Sequence, residues 1–275
     1  MSRRSLRPVG FPGAHAVITG GSSGIGLATA RRLAERGATV SLLARGGDRL
    51  RSAAEELRGL GATVHARVAD VADQAALCAA LDELEAAAGP CDILVSSAGL
   101  ARPGHFLDLP DEVFREMVEV DYFGTLYALR KVTPGMVERG RGSVVAVSSM
   151  AGLVGIFGYS AYGPAKFAVR GLMESLRAEL VPRGVHVGVV YPPDVDTPQL
   201  AEENRWKPAE TRAISGTVKP LSADAVARAI VAGIARRRFL ICPDPTSRLL
   251  ARLGSVLAPA LNWSFDRKAA RAAAG

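Results

Sequence analysis

The sequence predicts one α/β domain, a Rossmann-type doubly wound parallel sheet with helices on both faces. Three observations predict it. Short runs rich in Val, Ile and Leu lack clean alternation, which marks strands buried on both faces. These runs alternate strictly with helical patterns, which gives right-handed crossovers and a ligand crevice at the strands' carboxyl ends. A glycine-rich turn joins the first run to the first helical pattern. At 275 residues and 48% hydrophobic composition the chain fills one large domain. It shows no repeat of 20–50 residues and no low-complexity linker.

The elements follow in order. The first strand is 15–19, and Thr19-Gly20-Gly21-Ser22-Ser23-Gly24-Ile25-Gly26 follows it. A helix over 24–36 runs through Leu27, Ala30, Leu33 and Ala34 and stops at Gly37. Glycines let the backbone approach a pyrophosphate, and the helix N-terminus then holds the anion. Gly20, Ser22, Ser23, Gly24, Ile25 and Gly26 are therefore candidate dinucleotide ligands; an ordinary glycine turn is the alternative. The second strand, 39–44, runs straight into Arg45. An acidic residue there suits a free ribose 2′-hydroxyl and an arginine suits a 2′-phosphate. No Asp or Glu lies between Thr39 and Gly47, so Arg45, helped by Arg49, argues for NADPH over NADH. A solvated surface arginine is the other reading.

A helix over 48–58 leads to the third strand, 64–69, and then Asp70, placed to accept from the adenine amino group. Asp70 also reads as a cap for the helix over 74–88, but Asp73 is the better cap. A strand at 91–96, a helix over 111–138 and a strand at 143–148 bring the chain to Ser149. A helix over 160–181 carries Tyr162 and Lys166. A strand at 185–191, a long connection at 194–220, a helix over 222–236 and a strand at 238–242 complete the body. Gly20, Arg45, Asp70, Ser97 and Ser149 all fall at carboxyl ends of strands.

Ser149, Tyr162 and Lys166 form a constellation that protonates a ketone. A phenol is a poor acid, with a reference pKa of about 10. An ammonium one helical turn away favours the phenolate and lowers that value. A hydroxyl at a strand end holds the carbonyl oxygen beside the phenol. Ser148 is the rival hydroxyl, but adjacent strand residues point to opposite faces, so one of the two serves. The Tyr-x-x-x-Lys spacing is common on any helix; its weight comes from the dinucleotide turn upstream.

These residues resemble the short-chain dehydrogenase/reductase family from about residue 13 to about residue 243. The loop at 19–26, Ser149 and Tyr162/Lys166 carry the resemblance. A narrower one lies in Tyr191-Pro-Pro-Asp-Val-Asp-Thr-Pro198, Ala201-Glu-Glu-Asn-Arg-Trp-Lys-Pro208 and Glu210-Thr-Arg212, with Gly152-Leu-Val-Gly-Ile-Phe-Gly158. Those segments are similar to 3-ketodihydrosphingosine (3-ketosphinganine) reductases. The resemblance implies NADPH-dependent reduction of a 3-keto sphingoid base to sphinganine, with Tyr162 as proton donor and Lys166 on the nicotinamide ribose. It also implies a homo-oligomer through 111–138 and 160–181. Two positions depart from the family. Ser96-Ser97-Ala98-Gly99 replaces Asn-Asn-Ala-Gly, which spares a backbone role. Asp121 stands where the family has an asparagine that holds a water linking the lysine to solvent. Its charge is expected to raise the Lys166 pKa and to alter that of Tyr162.

The segment after Ser149 is apolar: Met150, Leu153, Val154, Ile156 and Phe157. The polar lid at 194–220 has Leu200 and Trp206 as its apolar points. An apolar wall and a lid suit a long-chain keto-lipid; packing among themselves is the alternative. Rival activities are reduction of a β-ketoacyl thioester or a steroid, or a cofactor-binding regulator with impaired catalysis, for which Asp121 is the hint.

The net charge is confined to the ends. Of the formal +7, residues 1–10 carry +3 through Arg3, Arg4 and Arg7, and residues 246–275 carry +4, which leaves 11–245 neutral. The chain thus divides into a reductase body at 11–245 and a basic amphipathic tail at 246–275. In the tail, Leu249, Leu250, Leu253, Val256, Leu257 and Leu261 recur at helical spacing before Trp263 and Phe265. That reads as an interfacial segment for peripheral membrane contact, or as a helix docking on the body or on a partner. It is interrupted by Pro259 and falls short of the roughly 20 apolar residues a bilayer needs. No recognition helix or RNA-binding signature points to nucleic acid. Cys78, Cys91 and Cys242 without a C-x-x-C indicate reduced thiols. With no apolar stretch after the first arginines, a cytoplasmic protein is expected, peripheral on the membrane face. His15, His65, His105 and His186 show no metal spacing, so no metal is expected.

Overall fold

The computed structural model describes residues 10–215 and 219–273. Arg3, Arg4 and Arg7, and the lid residues 216–218, lie outside them. In chain order the elements are β1 (His15–Thr19), α1 (Gly24–Ala34), β2 (Thr39–Ala44), α2 (Gly47–Gly59), β3 (Val64–Val68), α3 (Gln74–Ala88) and β4 (Ile93–Ser96). The second half comprises α4 (Asp111–Met117), α5 (Gly124–Glu138), β5 (Gly142–Val147), α6 (Tyr162–Leu180) and β6 (Val185–Val190). Then come β7 (Val195–Asp196), α7 (Pro198–Trp206), α8 (Ala209–Ser215), β8 (Leu221–Ser222), α9 (Ala223–Ala235), β9 (Leu240–Ile241) and α10 (Pro245–Ala273).

Seven strands form a parallel sheet in the order β3-β2-β1-β4-β5-β6-β9. The chain leaves β1 toward β2 and β3, then crosses back to β4 on the other side of β1. That reversal opens the ligand crevice between β1 and β4. Alternate strand residues serve opposite faces. Val17, Leu94, Val144 and Val187 pack with α3, α5 and α6 through Leu81, Leu129, Val132 and Met173. Ile18, Val40, Ile93 and Val145 pack with α1, α2 and α9 through Leu33, Leu57, Ile230 and Ile234. Both faces are covered, which is why the strands read as continuous apolar runs. Arg32 ties α1 to α9 by a bidentate pair with Asp224 at 2.6 and 2.7 Å. Asp73 caps α3 by accepting from the Ala76 amide, as its sequence position predicts.

Four features differ from the sequence reading. The fourth strand begins at 93 rather than 91, and the last shortens to two residues. The expected helix over 111–138 contains a wide turn of π type over Val118–Phe123, and Asp121 lies in it, fully buried. Such turns insert one residue and redirect side chains at functional positions. The described residues of the connection at 194–220 carry regular structure: Thr197 caps α7 by accepting from the Leu200 amide, and β7 pairs with β8 in parallel.

The fourth difference is the tail. Helix α10 runs 29 residues and continues through Pro259. A helix-interior proline costs about 3 kcal/mol. Here Leu250 and Gly254 before it are buried, and Leu257, Leu261 and Phe265 around and beyond it pack against the core. That packing outweighs the lost hydrogen bond. Among the described residues, no helix is long and apolar enough to cross a membrane.

Candidate active site

One cavity of about 920 Å³ runs from the glycine turn to α10. Gly20, Ser22, Ser23, Gly24, Ile25 and Gly26 line one end. Gly20 has φ +67°, and a Cβ there would sit 2.7 Å from the Ala98 amide nitrogen. The turn is therefore pressed against the end of β4, where Ser97 and Ala98 both donate their amides to Thr19 Oγ1 at 3.2 Å. The backbone role of Ser96-Ser97-Ala98-Gly99 is intact without asparagine. Ser23 caps α1 in extended geometry but makes no side-chain cap bond. First-turn amides of α1 therefore have no side-chain acceptor and border the cavity, as anion binding requires.

Arg45 and Arg49 line the same end. Arg45 Nη1 lies 3.6 Å from Asp70 Oδ2, and both side chains are more than a third exposed. Such a pair is weak, so the guanidinium is available to a phosphate. Asp70 also accepts from the Ala72 amide at 3.0 Å. It sits beside the lining residues Ala69 and Val71 without lining the cavity itself. These residues fit a phosphorylated dinucleotide: a close-approach backbone turn, a helix N-terminus and two guanidinium groups.

Ser149, Tyr162 and Lys166 converge further along the cavity. Ser149 caps a short 3₁₀ turn, accepting from the Ala151 amide at 3.1 Å, and its side chain acts on the Tyr162 phenol, holding its pKa down. Tyr162 opens α6, and Lys166 follows one turn later. Lys166 Nζ lies 5.5 Å from the centre of the Tyr162 ring. Ser148 points elsewhere and donates to the Lys166 carbonyl at 2.9 Å, which leaves Ser149 to face the phenol.

The electrostatics differ from the expectation. Burial pushes the Tyr162 phenol well up, and the charges of Asp121 and Glu203 push it further; the Ser149 hydrogen bond opposes them. The expected acidification by Lys166 is overturned because that ammonium is engaged: Nζ pairs with Asp121 Oδ1 at 3.2 Å and donates to the Val147 carbonyl at 3.2 Å. Asp121 also accepts from the Leu100 amide at 3.2 Å. Burial raises the Asp121 carboxyl, against the pull of Lys166. Gly99 permits the pair, since a Cβ there would meet Asp121 Oδ1 at 2.6 Å and Lys166 Nζ at 3.2 Å.

The substrate end is lined by Met150, Val154, Ile156, Leu200 and Ile214. Leu249, Leu257, Leu261 and Phe265 of α10 continue the apolar wall. Three residues expected in that wall are elsewhere. Leu153 packs into the core, Phe157 makes an edge contact with His105, and Trp206 stacks on Arg102 at 3.3 Å. His105 belongs to a separate surface groove. His15 and His186 are buried structural groups: His15 donates to the Gly89 carbonyl at 2.6 Å and His186 to the Arg238 carbonyl at 2.9 Å. Among the described residues no group of three or more His, Cys, Asp or Glu could hold a metal.

Sequence reasoning missed a buried polar knot on the lid. Lys207 Nζ pairs with Asp194 Oδ2 at 2.9 Å and Glu203 Oε1 at 3.1 Å. The Tyr159 hydroxyl donates to Glu203. The spacing of Glu203 and Lys207, one helical turn apart, was its visible trace.

The short chain dehydrogenase family profile matches residues 14–208. The chain is 40% identical over 268 residues to a 3-ketodihydrosphingosine reductase of Bos taurus, covering 93% of this chain and 78% of that protein. It is 39% identical to a 3-ketodihydrosphingosine reductase of Dictyostelium discoideum, covering 92% and 81%. Two solved structures share the fold. One is a short chain dehydrogenase/reductase from Burkholderia phymatum in complex with NAD, with TM-score 0.81 and 27% identity, covering 91% of this chain and 97% of that one. The other is a short-chain dehydrogenase from Sphingobium yanoikuyae in complex with NADPH, with TM-score 0.77 and 30% identity, covering 88% and 93%.

Proposed function

The chain belongs to the short-chain dehydrogenase family, and from that premise we propose that it reduces 3-ketosphinganine, a 3-keto sphingoid base, to sphinganine with NADPH. One observation carries the reading. Ser149, Tyr162 and Lys166 meet midway along a cavity that has a dinucleotide turn at one end and a long apolar wall at the other. Relatives named for this reaction are similar over most of their length.

The turn at Gly20–Gly26 and the N-terminus of α1 hold the pyrophosphate, and Arg45 with Arg49 takes the 2′-phosphate. Asp70, beside the lining residues Ala69 and Val71, is the proposed acceptor for the adenine amino group. Bound NADPH supplies the hydride. Ser149 donates a hydrogen bond to the ketone oxygen. Tyr162 gives its proton to that oxygen as negative charge develops there, a contribution of roughly 10²–10⁴-fold. Burial and the neighbouring carboxylates raise the phenol's pKa, so it is protonated at neutral pH and releases its proton only as the ketone oxygen becomes a strongly basic alkoxide. Lys166, held by Asp121 and the Val147 carbonyl, keeps its charge 5.5 Å from the Tyr162 ring and would hold the nicotinamide ribose of the bound cofactor. The lid at 194–220 and α10 exclude water and receive the acyl chain.

Two further points belong to this proposal. On α10, Leu253, Val256 and Trp263 are exposed, and Arg248, Arg252, Arg267 and Lys268 lie on the same helix. That face suits peripheral contact with an anionic bilayer at its cytoplasmic face. Phe167 is exposed on α6, a helix the family resemblance assigns to a homo-oligomer. The deciding experiment is NADPH consumption with 3-ketosphinganine in detergent micelles, with NADH as control. Turnover of a β-ketoacyl thioester or a steroid ketone, but not of 3-ketosphinganine, overturns the substrate assignment.

A further inference from the structure

The two residues after Tyr191 are prolines, and the next is Asp194. Its backbone carbonyl accepts from the Leu221 amide at 2.9 Å, which anchors the lid's entry beside its exit. Asp194 and Glu203 both line the cavity that holds Ser149 and Tyr162. The Lys207 side chain is only 3% exposed and bridges the two. Tyr159, which donates to Glu203, lies 5.7 Å from Tyr162 ring centre to ring centre. The knot thus adjoins the catalytic phenol on its lid side.

Its charges do not balance. Two carboxylates face one ammonium, so the knot carries a formal −1 beside an apolar wall. A buried charge of that kind is costly unless paired. The Asp194 side chain remains 34% exposed, and it borders the cavity rather than the protein interior. Its environment calls for a second cation supplied from the cavity, close to where the ketone oxygen meets Tyr162 and Ser149.

We propose that Asp194 and Glu203 receive a substrate ammonium on the carbon next to the ketone, so that the site selects α-ammonium ketones over bare ketones. This rests on the function proposed above, whose substrate is an amine with its nitrogen at that carbon. Binding the substrate neutralises the knot, and Lys207 and the Tyr159 hydroxyl hold the carboxylates in place for it. β-Ketoacyl thioesters and steroid ketones carry no such cation and leave the charge unpaired. Asp194 and Glu203 are thereby specificity residues, while Lys207 and Tyr159 position them. The carboxylate charges also raise the phenol of Tyr162, which places them within electrostatic reach of the reacting oxygen.

The test compares three ketones of equal chain length with wild-type enzyme and NADPH: 3-ketosphinganine, its N-acetyl derivative, and 1-hydroxyoctadecan-3-one, which lacks the nitrogen. Wild type is expected to favour the free amine by about tenfold or more in kcat/KM over both neutral ketones, as when a polar partner is left unpaired. In Asp194→Asn the preference is expected to collapse toward one, mainly through KM, and Glu203→Gln to move the same way. Equal wild-type turnover of all three ketones overturns the ammonium site alone. So does an Asp194→Asn enzyme that keeps its preference. Turnover of none of them overturns the reductase reading beneath it. The wild-type comparison needs no variant to fold.

Discussion

The two ends of the cavity are made from different materials. At the glycine turn the walls are largely backbone: the Thr19–Gly21 chain against Ser97 and Ala98, and the first turn of α1. At the lid end they are side chains from elements distant in sequence, namely Ile156, Leu200, Ile214 and Leu261, with the knot of Asp194, Glu203 and Lys207. Backbone walls suit an invariant ligand, because any change of residue disturbs the approach itself. Side-chain walls can be exchanged one at a time, so this end decides which ketone enters. Tyr162 stands where the two meet.

The comparison predicts effects that fall in size from the junction outward. Tyr162→Phe removes the proton donor and keeps the ring, so turnover should fall by roughly 10²–10⁴-fold or more. NADPH binding, followed by fluorescence titration, should persist. A variant with wild-type turnover breaks the assignment of roles. Next is Arg45→Asp at the cofactor end. The lost charged contact, worth about 1.5–3 kcal/mol, should raise KM for NADPH tenfold or more and leave NADH use undiminished. Unchanged NADPH preference would show that the 2′-phosphate binds elsewhere.

At the lid end, Leu261→Asp should depress kcat/KM for the long-chain ketone by about tenfold, since it places a charge in the apolar wall. A short-chain ketone that ends before α10 should be affected far less. Equal loss on both chain lengths would mean that α10 supports the fold without touching substrate.

The smallest change concerns pH. Tyr162 must be protonated to reduce a ketone, so reduction persists below its pKa and is lost as pH rises through it. Burial and the Asp121 charge both raise that pKa. Asp121→Asn removes the second influence, so the alkaline limb of the reduction profile should move to lower pH. The onset of sphinganine oxidation by NADP⁺ should move the same way. A limb that stays in place would show that the carboxyl is already neutral beside Lys166.

Local patterns carried much of this. The strand–turn–helix of residues 15–36, Arg45 after the second strand, Asp73 as a cap, and the Tyr162/Lys166 spacing could be read from the chain because each depends on near neighbours. The π-type turn at Asp121 could not, because only packing reveals which helix inserts a residue. Pro259 misled for a related reason: intrinsic propensity ends a helix there, and Leu257, Leu261 and Phe265 packing on the core keep it going. Trp206 and Phe157 looked like substrate contacts by composition, yet Trp206 of the lid stacks on Arg102 and Phe157 of the segment after Ser149 packs edge-on against His105. The acidity of Tyr162 was misread because the sequence does not show how deeply the fold buries the phenol, and burial is the largest influence raising its pKa.

By itself the sequence determined the parallel sheet and pointed to the candidate phosphate-binding turn, to NADPH and to Tyr162 as the candidate proton donor. Those properties follow from hydrophobic period, backbone freedom and residue chemistry over short spans. Tertiary structure alone decided that the Tyr162 phenol is buried among carboxylates, that α10 walls the cavity, and that Asp194, Glu203 and Lys207 form one largely buried knot with charge to spare. Each depends on how the folded chain buries these groups together, and burial strengthens every charge and makes its partner decisive.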